Sequence, residues 1–85
     1  MKTITVEVTQ EDIDHGERGH CAECPIALAA LRATGEVWHV GSRTMHLGDR
    51  QDVYAHLPKA AVVFLRAFDR GEPISPFSFT IEVPE

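Results

Sequence analysis

The sequence predicts an α+β domain: about three helices packed on one face of a largely antiparallel sheet of about four strands. Three observations predict it. Residues 3–8 and 77–83 alternate apolar and polar side chains, residues 25–34 and 58–70 set helix formers between a proline and a glycine, and residues 36–47 hold two short apolar runs around Gly41-Ser42. The expected order is strand, helix, helix, strand, strand, helix, strand. Eighty-five residues make one domain with a single core.

In the first segment Ile4, Val6 and Val8 alternate with Thr3, Thr5 and Glu7, the period of a half-buried strand. Thr9 then offers a side-chain oxygen ahead of Gln10-Glu11-Asp12, and Gly16 stops a helix of two turns at most. Pro25 opens the next helix, Gly35 closes it, and its alanines allow close approach to a sheet. Leu28, Leu31 and Arg32 divide it into an apolar and a polar side.

Residues 36–40 and 43–47 form a hairpin. With Gly41-Ser42 or Ser42-Arg43 as the loop, parity places Trp38, Val40, Met45 and Leu47 on one face and His39 with His46 on the other. Residues 53–57 add at most a short extended segment before Pro58. In the last helix Ala61, Phe64, Leu65 and Phe68 line one face and Lys59, Arg66 and Arg70 the other, with Gly71 as the stop. Phe77, Phe79, Ile81 and Val83 point inward from the final strand. Phe64, Phe68, Phe79 and Ile81 are expected at the centre of the core.

With 44 per cent hydrophobic and 25 per cent charged residues, the chain matches a folded globular protein rather than a disordered one. No apolar run reaches the ~20 residues of a membrane span, and Met1-Lys2 leads into ITVEV without a leader pattern, so a cytoplasmic protein is expected. Thirteen acids against eight bases leave a formal charge of −5, which opposes direct nucleic-acid binding through phosphates. Glu11, Asp12, Asp14, Glu17 and Glu23 surround a single base, Arg18. They read as a solvated surface; the alternative is an acidic imitation of nucleic acid, which needs an ordered double row.

The stretches HCAECPIALAALRATG and LPKAAVVFLRAFDRGEPISPFSFTIEV resemble short uncharacterised proteins of actinobacteria and their phages. That resemblance implies a small intracellular protein, a phage accessory protein among the readings, and carries over no activity.

Chemistry concentrates at His20-Cys21-Ala22-Glu23-Cys24-Pro25. Two thiols can chelate one metal, but zinc takes four donors. His15, His20, Cys21 and Cys24 are the compact candidate set, although adjacent His20 and Cys21 are awkward to aim at one ion. A thiol-redox pair at a helix N-terminus is the second reading; Glu23 between the thiols and the missing strand directly before the motif oppose it. The third reading is a structural junction with no cofactor, and it is preferred. His39 and His46 read as exposed strand residues. No Gly-x-Ser-x-Gly elbow or phosphate-binding glycine loop is present, so no enzyme is expected. Val62 and Val63 beside Lys59, Arg66 and Arg70 form the candidate interface, for a homodimer as the preferred mode or for another protein partner; the alternative is that one of the valines completes a wide core stripe.

Overall fold

The computed structural model describes residues 2–84; the expectation drawn at Met1, that no leader precedes the first strand, lies outside them. Strand β1 (Lys2–Val8) runs antiparallel to the last strand, β5 (Phe77–Val83), over seven residue pairs from Lys2↔Val83 to Val8↔Phe77. Alternation does the sorting: Val6, Val8, Phe79, Ile81 and Val83 are buried, and Thr3, Thr5, Glu7, Ser78, Thr80 and Glu82 face water.

Helix α1 (Gln10–His15) starts on a reciprocal capping box. Thr9 Oγ1 accepts the Asp12 amide and Asp12 Oδ2 accepts the Thr9 amide at 2.9 Å. Helix α2 (Pro25–Thr34) begins with proline at its first turn and ends at Gly35 in the left-handed conformation. Gly16, which ends α1, lies so close to α2 that a Cβ there would sit 2.6–2.9 Å from the Pro25 ring, so the approach of the two helices requires glycine.

Strands β2 (Trp38–Val40), β3 (Thr44–Leu47) and β4 (Tyr54–His56) form a second sheet in that order. The pairs Trp38↔Leu47, His39↔His46 and Val40↔Met45 fix Ser42-Arg43 as the hairpin loop. Helix α3 (Lys59–Arg70) follows Pro58 and stops at Gly71.

The predicted order appears with one strand added, and the single four-stranded sheet is instead a two-stranded and a three-stranded antiparallel sheet. Strand β4 lies against β5. It is three residues long, is paired with β3, and is followed closely by Pro58, which has no N–H to donate, so no ladder between β4 and β5 occurs among the described residues.

The core fills the space between the sheets and the helices. Helix α2 touches both β1 and β2 and buries Ile26, Ala27, Ala29 and Ala30, while Leu31 is 41% exposed and so stands outside the core. The largest fully enclosed side chains are Ile26, Met45, Val6, Val8 and Pro25. Phe64, Phe68, Phe79 and Ile81 are buried as expected, but the three phenylalanines seal the margin rather than the centre. No described helix is long and apolar enough to cross a membrane.

Candidate functional site

The chain between α1 and α2 is a closed loop, residues 16–24. The Glu17 amide donates to the Glu23 carbonyl at 2.9 Å, the Glu23 amide to the His20 carbonyl at 3.0 Å, and the Val40 amide to the Cys21 carbonyl at 2.9 Å. The last of these ties the loop to the edge of β2. Cys24 is the N-cap of α2: its Sγ accepts the Ala27 amide at 3.4 Å and its carbonyl accepts the Leu28 amide.

The two thiols are unequal. Cys21 is exposed and Cys24 is buried, 7% accessible. Burial pushes the Cys24 thiol up, against the pull of the Ala27 and Ile26 amides, and Asp69 and Cys21 push it further the same way. Both thiols line a 310 Å³ pocket with Val40, Val62, Arg66 and Asp69. A thiol kept protonated by burial is a poor nucleophile and a poor metal ligand.

The candidate metal set does not converge. Among the described residues, no three of His15, His20, Cys21 and Cys24 bring ligand atoms within 4.8 Å of one another. His20 turns instead toward two carboxylates, its Nε2 3.6 Å from Glu17 Oε2 and its Nδ1 4.0 Å from Glu23 Oε2. Glu17, His20 and Glu23 do meet the distance condition, and all three are exposed. Cys24 Sγ is committed to the Ala27 amide at the helix entrance, and His20 faces Glu17 and Glu23 rather than the thiols.

His39 and His46 stand side by side as parity predicts, with ring centroids 5.4 Å apart. His46 Nδ1 donates to the Leu47 carbonyl at 2.9 Å. The pair supplies at most two ligands.

A group missed by sequence reading is the Asp12–Arg32 clasp. Asp12, placed in the expected solvated acidic run, is 4% exposed. Arg32 Nη1 and Nη2 donate to its two carboxylate oxygens at 2.8 Å each, and Nη2 also donates to the Glu7 carbonyl at 2.6 Å. Burial alone would raise the Asp12 carboxyl; the Arg32 guanidinium and the Thr9 cap outweigh it and hold the group below the usual 3.8. The same pairing raises Arg32. Asp12 thus belongs to the fold and is withdrawn from the solvated acidic run.

Of the candidate interface residues, Lys59, Val63, Arg66 and Arg70 lie on the solvent side of α3 and Val62 does not. Val63 is 54% exposed and Val62 is half-buried against the core. Val63 lines a 560 Å³ groove between α3 and residues 73–77, whose floor is Phe64 and Phe77. A second cleft of 430 Å³, over Trp38, Ile4 and Val83, carries Arg50 and Asp52 at its rim. The Thr34 hydroxyl there accepts the Trp38 indole N–H at 3.0 Å and donates to the Ala30 carbonyl, so it holds structure together.

Comparison of the chain with protein-family models, with curated proteins and with solved structures gives no match.

Proposed function

We propose that this protein is a small non-enzymatic module that binds another protein through the solvent face of α3 and the adjoining residues 73–77. The observation that carries the reading is Val63, a β-branched residue 54% exposed at the middle of an otherwise amphipathic helix, bordering an apolar groove. The phage accessory role implied by the resemblance belongs to the same proposal, because acting by contact with a host protein requires only such a face. The cytoplasm is the proposed compartment, where two unbridged thiols persist reduced.

A photo-crosslinking residue at position 63, compared with one at Thr80 on the polar face of β5, tests this in cells that produce the protein. The expected result is a discrete heavier adduct from position 63 and none from position 80. No adduct from 63, or equal labelling from both positions, refutes it.

A further inference from the structure

Building on that reading of α3, we infer that the partner presents an acidic amphipathic helix. At 100° per residue, the exposed face of α3 divides lengthwise. Ala60, Val63 and Ala67 form an apolar stripe beside the groove. Lys59, Arg66 and Arg70, all exposed, form a row beside it, with Lys59 at the groove itself and Arg66 on the side away from it.

Among the described residues, no carboxylate lies within 4.0 Å of any of those three cations. The helix carries one acid, Asp69, against three bases, in a chain whose formal charge is −5. Basic charge is therefore gathered on a face that also exposes apolar surface, Val63 being the most exposed of the large hydrophobic residues described. Carboxylates opposite this row, with aliphatic side chains over the stripe, satisfy both halves at once.

The shape of the face selects a helix over a strand. An added strand needs an unpaired backbone edge. The groove offers side chains instead, and Pro73, which lines it, has no amide to donate. Small residues at 60 and 67 let a second helix approach to about 8–10 Å. The cation row spans roughly 16 Å, so a partner segment of about three turns covers it. A second copy of this chain suits the face poorly, because a two-fold contact sets the same patch against itself and brings like charges together. Nucleic acid would use the cations and leave the apolar stripe without a role.

The test measures fluorescence anisotropy of three labelled 14-residue helical peptides against the full chain over a salt series. The peptides share one leucine stripe and differ only in a flank of Glu, Gln or Lys. The Glu peptide is expected to bind at least about tenfold more tightly than the Gln peptide, with the Lys peptide weakest and the difference shrinking in salt. Val63→Glu should weaken all three, and the double substitution Arg66→Glu, Arg70→Glu should reverse the order. These positions are exposed, and thermal melts by circular dichroism confirm that each variant folds. Equal binding of all three peptides, or none at about 1 mM, overturns the inference. So does binding of a DNA duplex that Val63→Glu leaves unchanged, or self-association of the chain that the Glu peptide does not displace. If position 63 crosslinks a partner but flank charge has no effect, the acidic-helix inference falls and the binding-module reading stands.

Discussion

Replacing Arg32 with methionine keeps most of the aliphatic stem and removes the guanidinium from the buried Asp12 carboxylate. Three hydrogen bonds are lost: two to Asp12 at 2.8 Å and one to the Glu7 carbonyl at 2.6 Å. A charge-assisted bond contributes about 1.5–3 kcal/mol net when desolvated. The Arg32 side chain is 51% exposed, so water already solvates half of it and the three bonds do not add at full value. Asp12, by contrast, keeps only the Thr9 cap. Together these give a cost of about 2 kcal/mol, or roughly 8–16 °C in Tm for a domain of this size. The pH dependence has a definite sign. Because the folded carboxyl titrates below 3.8, its contribution is fully present above that value and is lost as pH falls through the folded one. Urea melts of wild type and Arg32→Met should therefore differ by about 2 kcal/mol at pH 7, and the gap should narrow as the pH is taken below 3.8. In an Asp12→Asn background, the same Arg32 substitution should cost much less. A gap under about 0.5 kcal/mol at pH 7, one independent of pH, or one unchanged by Asp12→Asn would refute the reasoning.

Phe64→Ala should cost about 3–5 kcal/mol in denaturant melts, since the ring is buried and lies 4.7 Å from the Phe77 ring; a loss below about 1 kcal/mol would contradict the packing. Gly16→Ala should destabilise by more than an exposed glycine change, because the new Cβ meets the Pro25 ring at 2.6 Å; wild-type stability would show that α1 and α2 separate readily. Cys24→Ala removes the cap on Ala27 and should cost about 1 kcal/mol, against less than about 0.5 kcal/mol for Cys21→Ala. In native protein one thiol per chain should react quickly with a disulfide reagent and the second only on unfolding, and elemental analysis should find substoichiometric zinc; one tightly held zinc per chain would overturn the junction reading.

The elements that were legible share local punctuation. Residues 25–34 are bounded by Pro25 and Gly35, and the observed helix has those bounds because one residue fixes the first turn and the other adopts the left-handed exit. Hairpin parity was legible for a different reason: any even shift keeps Trp38, Val40, Met45 and Leu47 on one face. The features that sequence hid depend on distance along the chain. Arg32 lies twenty residues from Asp12, so no period links them, and an acid in an acidic run reads as solvated until its partner folds against it. Strand β4 is three residues whose pairing with β3 supplies the reason to be extended. The centre of the core was misjudged because large aromatics dominate any estimate by size, whereas the smaller Ile26, Val6 and Val8, with Met45, reach the place where α2 closes on the sheets.

The cysteine motif and the α3 face exchange importance once the chain is folded, and one pocket shows why. A helix N-terminus favours a negative charge that lies on its axis and reaches solvent or substrate. Here the sulfur in that position is Cys24, enclosed and already committed to the Ala27 amide, while the accessible sulfur, Cys21, belongs to the turn before it and its carbonyl anchors β2. The accessible thiol and the helix end are thus separate, and the two residues tie the loop to α2 and to the second sheet through the Cys24 sulfur and the Cys21 carbonyl. The same pocket is walled on its far side by Val62 and Arg66 of α3. The junction thus faces the helix that carries Lys59, Arg66, Arg70 and Val63 across that pocket. A substitution that loosens the junction, such as Cys24→Ala, should act on partner binding only through stability, leaving the charge preference of the α3 face unchanged in protein that remains folded.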